Sequence, residues 1–212
     1  GEKDEQSNSE KSNKGRLFGT TSIQALDGMI RGYLFRNIST DVDMVNCHPV
    51  LLQYICKKDN IRCPILTEYV ENRDTILKDL KRDGEKDPKT LILKIVNSEY
   101  NASRNKSQFI KDLTKEMKTI RGTLVLNDEY KEMIDGACLY NPKNVLGSFI
   151  NRILCYYENE VLQVMIKHLH HKTIEISSLA FDGALIYGDY YKDDKLIAEL
   201  QAEINDYFYG MN

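Results

Sequence analysis

Two aspartates one residue apart, Asp41 and Asp43, lie in a short apolar alternation and are closely followed by His48 and Pro49. A further isolated carboxylate, Asp182, lies in the apolar segment SLAFDGALI, where an Asp-Gly pair predicts a hairpin turn. A buried carboxylate is costly, and two that lie near each other repel unless they share a proton or a cation. If the two segments are neighbours in the fold, the pattern predicts that Asp43 and Asp182 bind a hard divalent cation.

Each of these carboxylates also has a simpler interpretation. Asp-Gly is a favoured turn pair in any protein, so Asp182 alone fits an ordinary hairpin turn, and Asp41 fits a plain strand end. The close grouping of Asp43, Asn46, His48 and Pro49 is harder to attribute to a strand end alone, so a functional site and the simpler interpretation both stay open there.

Cationic side chains follow on the next two predicted helices. Arg73 lies on the first, Lys89 and Lys94 lie on the second, and the polar link KRDGEK would fold the two helices antiparallel above the carboxylates. Arg suits bidentate phosphate contacts and Lys supplies a point charge, so these residues are candidates for binding a triphosphate. The alternative is an ordinary solvated face, since both helices carry many charges.

The elements that must position these residues can be read from hydrophobic periodicity. The pattern predicts a short strand at VDMV, a helix from HPVLLQYICKK, one continuous helix from Pro64 to about Gly84, and a third helix with Asp87 as its N-cap. A helical insertion at 106–142, a longest helix of about 25 residues, a hairpin around Phe181-Asp182-Gly183 and an amphipathic C-terminal helix follow. A helix is also predicted within TSIQALDGMIRGYLF. The prediction is an α+β fold in which the strand with Asp43 lies beside the hairpin with Asp182, in a small antiparallel sheet packed on helices.

Composition narrows the class of protein. The 212 residues carry a formal net charge of −3, so a nucleic-acid partner would need a local cationic surface. Five cysteines without a Cys-x-x-Cys pair argue against a disulfide framework or a zinc site and favour a reducing compartment.

No long apolar run or secretory signal is visible, so the expected location is intracellular, in cytoplasm or nucleus. Residues 1–15 are polar, predict a disordered leader or linker, and with the initial Gly suggest part of a longer polypeptide.

Three segments, in order, resemble the motifs of a polymerase palm. DMVNCHPVLL resembles the first motif of B-family DNA polymerases, with Asp43 on the metal ligand, and KIVNSEYN resembles the second, where Lys94, Asn97 and Tyr100 match. SLAFDGALI stands where the third motif is expected. The third motif has one Asp and is closer to the corresponding hairpin of A-family polymerases. The helix before it, with Asn151 and Glu158, also resembles the helix that precedes this hairpin in the A family. The resemblance is therefore to a divergent palm of viral, plasmid or mobile-element type.

The resemblance implies a domain division and a set of roles. Residues 16–60 and 102–212 would form the palm, and 61–101 a two-helix fingers element. Two Mg²⁺ or Mn²⁺ ions would be held by Asp43 and Asp182, with the Met44 carbonyl and Asp41 assisting. His48 would lie against the sugar of the incoming nucleotide, unless it is a helix-start histidine bonded to backbone. Asn97 and Tyr100, on one helix face, would meet the nascent base pair.

The function implied is that of a template-directed DNA polymerase, which joins dNTPs to a primer 3′-hydroxyl. Its partners would be a DNA primer-template and dNTP, with RNA as a further possibility, and no membrane. Two alternatives are an archaeo-eukaryotic-type primase and a catalytically inactive palm that acts as a nucleic-acid-binding or scaffold module.

Overall fold

The computed structural model describes residues 28–102, 105–180 and 182–210, and its fold is α+β, as predicted. The predicted leader 1–15, the first half of the first predicted helix and Phe181 lie outside the described residues. The elements in chain order are α1 Gly28–Phe35, β1 Ser39–Asp43, α2 Cys47–Lys58, α3 Pro64–Glu71, α4 Arg73–Arg82, α5 Pro88–Asn97, α6 Gln108–Leu124, α7 Lys131–Tyr140, α8 Val145–His171, β2 Ile176–Ala180, β3 Gly183–Tyr187 and α9 Asp194–Tyr209.

The described sheet has three antiparallel strands in the order β1-β3-β2. The hairpin β2–β3 places Asp182 in its turn, and β1 pairs with β3 so that Asp43 lies opposite Gly183. The central strand β3 has a neighbouring strand on each side and is buried from Gly183 to Ile186. The predicted neighbourhood of the Asp43 strand and the Asp182 hairpin is therefore confirmed.

The 27-residue helix α8 forms the centre of the core. It packs against α2, α5, α7 and α9, and its apolar face includes the fully buried Phe149, Ile153 and Leu169. Because α8 contacts helices from both halves of the chain, it holds the start of α2 and the end of α5 beside the sheet.

The single helix predicted from Pro64 to Gly84 is instead two helices, α3 and α4, which is a correction to the sequence prediction. They meet at Asn72, whose backbone leaves the helical region (φ −119°, ψ 27°). Its side-chain amide donates to the Glu68 carbonyl oxygen at 3.3 Å, a local bond of the kind by which Asn competes with helix continuation.

The start of α5 follows the prediction closely. The Asp87 carboxylate accepts a hydrogen bond from the Thr90 backbone N–H at 3.1 Å, and Pro88 occupies the first turn. The helix ends at Asn97, however, so Tyr100 lies beyond it, and these two residues do not share a helix face as expected.

The proposed division into palm and fingers stays a prediction. In the described part of the chain, none of the helices combines the length and the apolar character that a membrane crossing requires.

Candidate cation and phosphate site

Asp43 and Asp182 lie side by side at one end of the sheet. Asp43 is the last residue of β1, and the next residue, Met44, donates its backbone N–H to the Asp182 carbonyl oxygen at 3.1 Å. The two carboxyl groups are within hydrogen-bonding contact. Partial burial, with the neighbouring Asp182 carboxylate as the next cause, raises the pKa of Asp43 from 3.8 to about 6. A site with two repelling carboxylates is one that a bound cation would stabilise.

These carboxylates form one wall of a cleft of about 580 Å³. The start of α2, the α3–α4 region, one face of α5 and the middle of α8 supply the other walls. The lining residues are Asp43, Met44, Val45, Asn46, Cys47, His48, Tyr69, Arg73, Lys89, Leu93, Asn97, Asn151, Glu158 and Asp182.

Two of the three predicted cations, Arg73 and Lys89, line this cleft opposite the carboxylates. On α5, Lys89, Leu93 and Asn97 are spaced four residues apart and share the face that lines the cleft. Lys94 lies off this face and is exposed outside the cleft, near Asp87. The structure therefore brings Lys89 to the site and not Lys94.

Two buried hydrogen-bond donors on cleft residues have no acceptor among the described residues. They are Arg73 Nε and Asn46 Nδ2. Arg73 Nη1 contacts the Asp74 carboxylate at 3.0 Å, and Asn46 Oδ1 accepts a bond from the Tyr69 hydroxyl at 3.4 Å. Buried donors are normally satisfied, so an anionic ligand in the cleft would supply the acceptors that these two groups lack in the protein itself.

His48 is buried on the first turn of α2 and connects three helices. Its Nδ1 lies 2.8 Å from Asn97 Oδ1 on α5, and its Nε2 lies 3.8 Å from Glu158 Oε2 on α8. Its described contacts are thus to side chains of other helices.

The other predicted residues lie at varying distances from this cleft. Asp41 lies two residues before Asp43 on β1, is exposed and lines a different cleft. Its charge nevertheless contributes to the raised pKa of Asp43. Met44 lies in the cleft wall, and its sulfur is 3.9 Å from the Cys47 thiol. Tyr100 is half-buried and packs against the core outside the cleft.

Glu158 is the main site residue that reasoning from residue types did not assign a role. It is 1% exposed, and its carboxylate, the Cys47 thiol and the Asp182 carboxylate lie within 4.8 Å of one another. A lone acidic residue between Leu154 and Val161 on the buried face of a long helix is the pattern that marks it, because a carboxylate in such a place needs a partner.

The chain is similar to a virophage protein. It is 31% identical over 185 residues to "Putative helicase V13" of Sputnik virophage, and the match covers 79% of this chain but 23% of that protein. The chain thus spans less than a quarter of the relative's length. No protein-family model matches the chain, and no solved structure matches it.

This comparison corrects the function implied by the motif resemblance. The similar protein carries the name of a helicase, so the predictions of a template-directed DNA polymerase and of a primase are wrong, and the inactive polymerase palm is set aside with them. The expectation of a viral type agrees with the viral source of the relative.

Proposed function

We propose that this chain is a nucleic-acid-binding domain of a helicase-type enzyme and that it binds a phosphate of the nucleic acid through a divalent cation held by Asp43 and Asp182. The observation that carries the proposal is the arrangement of the cleft, with two carboxylates in contact on one wall and Arg73 and Lys89 on the other. The name of the virophage relative supports the helicase context.

The carboxylate pair fits Mg²⁺ or Mn²⁺, which prefer oxygen ligands and commonly combine one or two carboxylates with phosphate oxygens. Asp43 and Asp182 supply those oxygens. Partial burial and, after it, repulsion by Asp182 raise the pKa of Asp43, and a bound ion would relieve that repulsion. When bound, the ion would neutralise the negative charge of the two carboxylates. A phosphate could then approach this wall of the cleft. We propose one ion between the two carboxylates.

The opposite wall supplies direct phosphate contacts. Arg73 Nε and Asn46 Nδ2 are buried donors without acceptors among the described residues, and Lys89 adds a positive charge. A phosphate group that bridges the ion and these donors would satisfy both walls at once. The chain contains no G-x-x-x-x-G-K-[ST] sequence, so the proposal concerns binding of nucleic acid and not ATP hydrolysis.

The test is binding of a fluorescently labelled single-stranded oligonucleotide, measured by anisotropy with Mg²⁺ and with EDTA. We expect tighter binding with Mg²⁺, and no Mg²⁺ dependence in Asp43→Asn. Asp41→Asn is the matched control, because Asp41 lies on the same strand but outside the cleft, and it should keep the dependence.

Equal affinity with Mg²⁺ and EDTA, in the wild type and in Asp43→Asn alike, would contradict the proposal. Efficient displacement of the oligonucleotide by a free nucleoside triphosphate would also contradict it, since the cleft would then be a nucleotide site.

A further inference from the structure

A second set of potential metal ligands lies deeper in the same region, where α2 meets α8. It consists of His48 from α2 and of Cys155 and Glu158 from α8. The two α8 residues are three apart and therefore lie on one face of the helix. One ligand atom from each of the three side chains lies within 4.8 Å of the other two.

The hydrogen bonds of Asn97 determine which nitrogen of His48 carries the proton. Asn97 Nδ2 donates to the Leu93 carbonyl oxygen at 3.0 Å, so the amide oxygen faces His48 Nδ1 at 2.8 Å. Nδ1 therefore donates to this oxygen, and in the neutral ring the lone pair is on Nε2. This is the usual arrangement of a metal-binding histidine, in which a second residue accepts from the nitrogen that does not bind the metal.

The distance from His48 Nε2 to Glu158 Oε2 also fits two ligands of one ion. At 3.8 Å it is too long for a direct hydrogen bond. Two ligands of a tetrahedral Zn²⁺ ion, with bonds of about 2.0–2.3 Å, are about 3.3–3.6 Å apart. The remaining separations among the three ligand atoms are at most 4.8 Å.

Burial favours a cation at this point. Glu158 is 1% exposed, and a neighbouring cation stabilises the ionised form of a carboxylate at that depth. A set of imidazole nitrogen, thiolate sulfur and carboxylate oxygen suits a borderline-soft ion such as Zn²⁺ better than Mg²⁺. We propose that His48 Nε2, Cys155 Sγ and the Glu158 carboxylate bind Zn²⁺ and leave its fourth position to water or to a ligand in the cleft.

This zinc site has a ligand set of its own but borders the same cleft, because His48 and Glu158 line it together with Asp43 and Asp182. It uses neither Asp43 nor Asp182, and Asp182 belongs to a different grouping with Cys47 and Glu158. Sequence spacing did not indicate the site, because the ligands come from two helices that are far apart in the chain.

The experiment is a titration of the reduced, metal-free 212-residue chain with Co²⁺, which reports a bound thiolate by charge-transfer absorption. We expect one equivalent of Co²⁺ to produce this absorption and Zn²⁺ to abolish it. Cys155→Ser and His48→Gln should lose the absorption, while Cys63→Ser and Cys138→Ser should retain it. Circular dichroism on each variant verifies the fold, and Cys155→Ser is decisive because Cys155 is only partly buried.

Absence of thiolate absorption in the wild type, or its persistence in Cys155→Ser, would overturn the proposal. Loss in Cys47→Ser with retention in Cys155→Ser would also overturn it, because the second cysteine near Glu158 would then be the ligand. Oligonucleotide binding that depends on Mg²⁺ should persist in Cys155→Ser, so failure of the zinc site and failure of the proposed function are separate results.

Discussion

Gly183 faces Asp43 across the β1–β3 pair, and this position has no room for a Cβ atom. A Cβ at Gly183 would lie 2.5 Å from the Val42 carbonyl oxygen and 3.0 Å from Asp43 Oδ1. The close approach of the two backbones is what brings the Asp43 carboxyl group to Asp182 in the adjacent turn. The Asp-Gly pair thus serves the site as well as the turn.

Gly183→Ala should therefore damage both the sheet and the carboxylate pair. The added methyl group must push β1 away from β3, and overpacking of this kind costs about 1–3 kcal/mol. Urea unfolding should show this loss, and the Mg²⁺ dependence of oligonucleotide binding should weaken with it. Gly122→Ala is the control: nothing lies within 4 Å of its added Cβ, and alanine favours the helix by up to about 1 kcal/mol. Equal stability of the two variants would contradict the close-contact argument.

Asp43 should make stability depend on pH between about 4 and 6. Its pKa of about 6 in the folded protein lies above the ordinary value of 3.8, so the folded protein binds the extra proton more tightly. This contribution to stability is fully present below the lower value and is lost as pH rises through the upper one. Asp43→Asn should flatten this part of the profile and, without metal, raise the Tm at neutral pH.

Thermal melts from pH 4 to pH 7.5, with and without Mg²⁺, check this behaviour. Mg²⁺ should raise the Tm of the wild type at pH 7.5 and leave Asp43→Asn unchanged. Asp41→Asn should have a smaller effect, because Asp41 is a lesser cause of the raised pKa. A variant Asp43→Asn with the same pH profile as the wild type would show that the carboxylate pair is not coupled.

Lys89 and Lys94 form a matched pair for testing the basic wall. Both are exposed residues of α5, but Lys89 lines the cleft and Lys94 lies outside it. Lys89→Ala should weaken oligonucleotide binding by about tenfold, as expected for a charge-assisted contact worth about 1.5 kcal/mol. It should also reduce the slope of log affinity against log salt by about 0.7, the value for one phosphate of a single strand. Lys94→Ala should change neither quantity, and an equal effect of both would place the nucleic acid elsewhere.

The secondary structure was largely predictable because its determinants are local. Apolar periodicity, the Asp87 cap and the Asp-Gly turn each act over a few residues, and the hairpin and most helices were found where they predict, whereas β1 is Ser39–Asp43 and contains only the first two residues of the predicted strand VDMV. The exception at Asn72 is instructive. The apolar pattern continues across it, but the Asn72 backbone leaves the helical region there, and its side chain also donates to the Glu68 carbonyl oxygen.

The site was predictable only where its residue types were unusual. Asp43 and Asp182 were recognisable as isolated carboxylates, and their contact follows from strand pairing. Which of the two lysines, Lys89 or Lys94, lines the cleft depends on the rotation of α5 about its axis. The contacts of His48 with Asn97 and Glu158 depend on how α2, α5 and α8 pack, which no local pattern records.

Glu116 illustrates a long-range contact whose removal can be tested in isolation. It lies on α6, and its two carboxylate oxygens accept the backbone N–H groups of Ile65 at 3.0 Å and Leu66 at 2.7 Å, in the first turn of α3. These are groups that a helix start leaves without intrahelical partners, and a carboxylate there also complements the helix dipole. Glu116 thus fixes the beginning of the α3–α4 unit that carries Arg73.

Glu116→Ala should lower the free energy of unfolding by about 1–3 kcal/mol, because two partly buried N–H groups lose their acceptor. Glu116→Gln keeps one carbonyl oxygen and should lose less. Asp112→Ala, on the same helix, removes only an exposed bond to Gln108 and should stay within about 0.5 kcal/mol of the wild type. Urea unfolding measures all three, and Glu116→Ala should also weaken oligonucleotide binding, since the start of the segment that positions Arg73 is loosened. A stable Glu116→Ala variant would mean that water replaces the carboxylate at this helix start without cost.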